Sequence, residues 1–107
     1  MKLSSEERQA LDNLAGLFRK RFGAREVILY GSAARDELDE GSDIDLLIVL
    51  PEVNWEVEKD IIRECFAAEL ECGRVFSATC YSVDELEHGP LRCSALVLNA
   101  RKEGLSL

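Results

Sequence analysis

Long apolar runs are missing from this chain. No stretch approaches the roughly 18 consecutive apolar residues of a membrane-spanning helix, and the opening Met1-Lys2-Leu3-Ser4-Ser5-Glu6-Glu7-Arg8 lacks the apolar core of a secretory signal. A soluble, cytoplasmic protein with no membrane partner is the expectation. Basic charge is also scarce: 13 Lys and Arg stand against 21 Asp and Glu, for a net charge of −8. Phosphate backbones are held mainly by Lys and Arg, so an extended nucleic-acid partner is disfavoured. Histidine occurs once, at His88, and the cysteines Cys65, Cys72, Cys80 and Cys93 contain no C-x-x-C pair. That excludes the recurrent zinc patterns and leaves reduced core thiols as the reading. Cys65 and Cys72 share a face of a predicted helix but lie about 10 Å apart along its axis, too far for a disulfide. Repeats, low-complexity segments and linkers are absent too, and 107 residues suit one domain, 1–107, with a modest core.

What is present concentrates between Val27 and Leu50. The apolar run Val27-Ile28-Leu29-Tyr30 stops at Gly31-Ser32, a polar segment compatible with helix follows, and a second apolar run starts within Ser42-Asp43-Ile44-Asp45-Leu46-Leu47-Ile48-Val49-Leu50. The order is strand, turn, short helix, strand. Side chains two apart on a strand share a face, so Asp43 and Asp45 project together. Two close carboxylates repel unless a cation lies between them, and hard oxygen ligands suit Mg²⁺, which one or two carboxylates hold together with substrate phosphates. Gly31 permits a tight turn and a close approach to a ligand. Ser32 would open a helix whose first N–H groups suit an anion, and as an N-cap it would serve the same end of that helix. A solvated, purely structural role for the two aspartates is the plain alternative. Arg35 is within range of the same place, but an exposed helical arginine is commonly just solvated, and it is given no role.

The pattern Gly31-Ser32, ten residues, Asp43-x-Asp45 and an apolar strand resembles the signature of the DNA polymerase β-like nucleotidyltransferase superfamily, in its minimal nucleotidyltransferase branch. The resemblance is tightest over residues 27 to 50. It implies that Gly31 and Ser32 hold a nucleoside triphosphate, ATP foremost, and that Asp43 and Asp45 are the catalytic, Mg²⁺-binding pair. It also implies a small helical HEPN-type protein as partner, one hydroxyl of which would accept the nucleotide, as in toxin–antitoxin pairs. The loop departs from a frequent form of the family, since Asp36 rather than glycine follows Arg35.

The remaining elements read as scaffold. A helix from about 4 to 22 is predicted from the Ser4/Glu7 capping box and Gly23, and strands are predicted at 25–30 and 43–50, the latter ended by Pro51. Between them, 33–38 should be helical, ended by Gly41. Asn54 and Gly73 bracket a helix over 55–72 with Val57, Ile61, Cys65, Ala68 and Cys72 inward. Trp55 at its start reads as packing rather than a base-stacking platform. A third strand over 74–81 carries Val75, Ser77, Thr79 and Tyr81 on one face and Phe76, Ala78 and Cys80 on the other. Neither face offers the third acidic residue with which many family members complete the metal site. Asp84 and Glu85 follow it, in a capping box with Ser82. A last helix starting near Pro90, with Leu91, Ala95 and Leu98 on one face, would end at Gly104 before a short edge strand over 105–107. The fold class is therefore α/β, a small mixed three- or four-stranded sheet with helices. The missing acid sustains two other readings: a non-catalytic module that binds its partner, and one subunit of a two-chain antibiotic-modifying transferase.

Overall fold

The computed structural model describes residues 3–35, 37, 39, 41–90 and 94–107. Helix α1, Ser5–Phe22, begins at Ser4, whose hydroxyl accepts the Glu7 N–H at 3.1 Å while the Glu7 carboxylate accepts the Ser4 N–H at 2.8 Å. Strand β1 is Glu26–Tyr30, β2 is Ile44–Leu50, and helix α2 is Trp55–Cys72 with the Asn54 side chain as N-cap. Strand β3, Phe76–Ser82, runs directly into helix α3, Val83–His88. Helix α4, Ala95–Glu103, and the two-residue strand β4, Leu105–Ser106, close the chain. Strand β3 starts two residues later than expected. Its neighbour Ile44 nonetheless donates its N–H to the Val75 carbonyl at 2.8 Å, so the pairing reaches one residue further back than the strand.

The sheet has the order β3-β2-β1-β4, with β2 and β3 parallel and the other two pairings antiparallel. This mixed four-stranded sheet with helices is the expected α/β class. Alternation of side chains then decides which helix covers which face. Val27, Leu29, Ile44, Leu46, Ile48, Leu50 and Phe76 turn toward α1 and α2, meeting Leu11, Leu14, Phe18, Ile61 and Cys65 in the main core. On the opposite face, Ile28 and Leu47 meet Ala100, and Val49 meets Leu86 and Val97, in two smaller clusters under α3 and α4. Strand β2 is thus buried on both sides from Leu46 to Leu50, which is why it reads as one apolar run. Among the described residues Cys65, Cys72 and Cys80 are in no disulfide; burial pushes Cys65 up to about 12 and Cys80 up to about 11, so neither is a ready nucleophile. Cys93 lies outside the described residues.

Three expectations fail. Leu98 is 53% exposed and Ala95 also faces solvent, whereas Val97 and Ala100 are buried; Leu91 lies outside the described residues. The reason is where α4 begins: it starts at Ala95 rather than near Pro90, and the face set on the sheet is the one carrying 97 and 100. Trp55 is 68% exposed and packs no core, because it stands on the side of α2 that carries the exposed Ile62, Phe66 and Leu70 rather than on the side of Val57 and Ile61. Among the described residues of 33–38 there is no α-helix, and a short 3-10 turn over Gly31–Ala33 leads into them.

Gly104 lets α4 end against the sheet. It donates its N–H to the Ala100 carbonyl at 2.8 Å, and a β-carbon there would collide with that carbonyl and meet the Leu29 carbonyl at 2.7 Å. Gly104→Ala should therefore cost about 1–3 kcal/mol, the usual range for overpacking, measurable by urea unfolding.

Candidate active site

The open end of β2 carries the two aspartates. Asp45 is the second residue of the strand and Asp43 stands just ahead of it, so both project from the face that α3 and α4 cover further along. Asp45 is paired across the sheet with Tyr30 on one side and Ser77 on the other, and those three side chains share that face. Asp43 is exposed and Asp45 half-buried. Among the described residues neither carboxylate accepts a hydrogen bond. Burial raises the Asp45 pKa, the charge of Asp43 raises it further, and Arg35 partly offsets both. The pair is thus two acids held near each other without a protein cation to neutralise them fully.

Gly31 supplies the third side of this site. Its φ of +73° is in the left-handed region, and a β-carbon added there would run into the Asp45 carboxylate. Only glycine brings the turn this close to the acid. Gly31–Ala33 is a turn of 3-10 helix, after which the Arg35 N–H bonds to the Gly31 carbonyl at 3.2 Å and the Glu37 N–H to the Ser32 carbonyl at 2.8 Å. The expected helix over 33–38 is accordingly replaced by this short turn; Glu37 and Asp39 are irregular, and residues 36, 38 and 40 lie outside the described ones. Ser32 sits within the turn, which Tyr30 precedes as cap residue without a side-chain bond, so the N-cap role expected for Ser32 is not what its position gives. The first N–H groups of such a turn have no acceptor inside it, which leaves them directed to an outside anion.

Strand β3 brings no acid beside the pair. Ser77 occupies the place beside Asp45 on β3, and the Glu85 carboxylate is engaged at 3.2 Å by the Ser82 N–H in the capping box of α3. Among the described residues no three of His, Cys, Asp and Glu are grouped to hold a metal. Two free, mutually repelling carboxylates beside a glycine turn nevertheless fit a hard divalent cation that completes its shell with water and phosphate oxygens.

Sequence reading missed Arg74. Its Nε donates to Glu7 at 2.6 Å, and its Nη1 donates to the carbonyl of Asp39 and, at 2.9 Å, to that of Ser42. Both carbonyls belong to the loop that delivers Asp43. The same loop is tightened from within, since the Asp39 carboxylate accepts the Gly41 N–H and the Ser42 hydroxyl, each at 2.9 Å. Arg74 is a positioning residue, and only a basic residue just after a helix-ending glycine hinted at it.

The model of a family described as nucleotidyltransferase domain matches residues 11–88, most of the chain and all of the residues of the glycine turn and the aspartate pair. The chain belongs to that family. None of the curated proteins compared with it matches. Nucleotidyltransferases move a nucleotidyl group and generally use a nucleoside triphosphate and a divalent metal, and the resemblance seen in the Gly-Ser and Asp-x-Asp pattern is to the same superfamily.

Two outcomes follow for this nucleotidyltransferase domain. Truncating Arg74 to alanine leaves the part-buried Glu7 carboxylate with the Ser4 N–H alone and should cost about 1–3 kcal/mol in urea unfolding. Glu7 is held below its ordinary pKa of 4.5 by the Ser4 N–H and by Arg74, so its contribution is present above that value and lost as pH falls through the lowered one; Arg74→Ala should shrink that acid-side loss. Asp45 has the opposite sign. Its raised pKa means that ionisation costs stability as pH rises, so Asp45→Asn should melt a few degrees higher than the parent at pH 7 without metal. The two should converge below about pH 3.8, the ordinary value, where the carboxyl is protonated folded or unfolded.

Proposed function

We propose that the protein moves a nucleoside monophosphate, AMP from ATP, onto a hydroxyl of a partner protein, with Mg²⁺ bound by Asp43 and Asp45. The observation that carries this reading is the meeting of Gly31 and Asp45: a positive-φ glycine, its free N–H turn and a destabilised carboxylate occupy one spot. Gly31 and Ser32 hold the β- and γ-phosphates through backbone N–H groups and the Ser32 hydroxyl. Mg²⁺, when bound, neutralises charge on the phosphates and orients them. The acceptor oxygen bonds to the α-phosphorus in line with the bridging oxygen, that bridging bond breaks, pyrophosphate leaves and the hydroxyl proton passes to water.

A helical partner of the HEPN type is supported by the outer side of α2. Ile62, Phe66 and Leu70, at spacings of four, are 61%, 56% and 72% exposed, and Trp55 lies on the same side of the helix. Such a stripe on a helix suits the apolar face of another helix. The cytoplasm is the compartment proposed, consistent with Cys65, Cys72 and Cys80 standing outside any disulfide. Ser77 beside Asp45 favours one second reading, a module that acts on its partner by binding alone.

Transfer of label from α-labelled ATP to a co-purified partner, in Mg²⁺, separates the two. Label on the partner that disappears in the Asp43→Asn, Asp45→Asn variant is the expected result. A stable complex without label, formed equally well by the variant, would leave binding as the mode of action.

A further inference from the structure

We infer that the cavity between the Gly-Ser turn and α4 receives the base of the nucleotide, and that Asn99 selects adenine there. The inference rests on the nucleotide reading above and adds what sets its specificity. The cavity measures about 320 Å³, at the small end of the range for small-molecule sites and large enough for a nucleoside. It lies between Tyr30 and Gly31 on one side and Leu96, Asn99 and Ala100 on the other. That second side belongs to α4, outside the residues 11–88 that match the family. Base recognition would then rest on residues of the tail as well as on those of the matched span.

Three features join the cavity to the phosphate end. Gly31 lines the cavity and also stands where a β-carbon would meet Asp45, so a ligand whose phosphates lie at Gly31 and Ser32 has its nucleoside end directed into the cavity or away from the protein. Tyr30 is paired with Asp45 across the sheet, which puts its ring on the same face as the carboxylates. With Leu96 and Ala100 it makes an apolar slot for a planar group, and an aromatic side chain stacks on any base.

Asn99 then distinguishes one base from another. Its amide offers an acceptor and two donors, and among the described residues it makes no hydrogen bond. An asparagine pairs in two places with adenine, donating to N7 and accepting from the N6 amine. Guanine presents two acceptors, O6 and N7, on that edge, which leaves the amide oxygen facing an oxygen. Arg35 and Glu103 complete the lining, one basic and one acidic, so the cavity has no strong bias of charge.

The experiment is calorimetric titration, in Mg²⁺, with the α,β-methylene analogues of ATP and GTP, which bind without turnover, and with inorganic tripolyphosphate. The parent should bind the adenine analogue about tenfold more tightly or better, the discrimination one two-point amide contact supplies. Asn99→Ala should bring the two analogues within about threefold while leaving tripolyphosphate unchanged. Asn99 is exposed and alanine favours helix, so the variant folds. Equal affinity of the parent for both analogues, or a preference that survives Asn99→Ala, overturns the assignment of Asn99 and leaves the nucleotide reading standing. Failure of the parent to bind either analogue or tripolyphosphate overturns both.

Discussion

The backbone of Gly31 approaches the carboxylate of Asp45 so closely that a β-carbon would run into it, and the site is arranged around that approach. A side chain at residue 31 would occupy the space of the acid, and a non-glycine residue would also strain the +73° backbone. The approach fixes the turn at the end of β1 against the start of β2, two neighbouring antiparallel strands. Because β2 is buried on both faces beyond Asp45, the acid cannot slide along its strand without turning apolar residues into solvent. Register therefore sets the position of the charge, and the glycine sets how close an anion can come to it.

The other aspartate is held by a different means. Asp43 precedes the ladder, so its position depends on the loop before it, and that loop is tied to Arg74, which is tied in turn to Glu7. Glu7 itself is fixed by the capping box of α1. A chain of bonds thus runs from the first helix through the start of the third strand to the loop of the site. The shape of guanidinium makes this link possible, because its planar fork reaches one carboxylate and two carbonyls at once, which the single ammonium of lysine would not.

How much of this was legible follows from separation along the chain. The pair Asp43 and Asp45, the turn at Gly31, helices α1 and α2 and the Ser82/Glu85 cap are all local patterns, with partners at most four residues apart or a period that repeats. The bond from Arg74 to Glu7 spans 67 residues and leaves no periodic trace. Residues 33–38 carry helix-compatible composition, yet Gly31 is pinned by Asp45 and the turn after it closes as 3-10, which is a tertiary preference over a weak local one. The tail misled for a related reason. Val97, Leu98 and Ala100 suit more than one helical face, and the face chosen depends on where Gly104 meets the sheet.

The residue beside Asp45 on β3 is Ser77, and its neutral side chain decides the character of the site. A third carboxylate at that register would add one more negative charge to a pair whose inner member already resists ionisation. Without it, Asp43 and Asp45 supply few of the six oxygens that an octahedral cation takes, and water or phosphate must supply the rest. On the proposed function, the two aspartates therefore hold a free cation weakly and a cation already joined to a triphosphate far better. The residues at the glycine turn then matter as much to metal retention as the acids do, since the phosphates they grip are the missing ligands. Occupancy of the site becomes a property of the nucleotide complex, which ties its selectivity to whatever holds the nucleoside end.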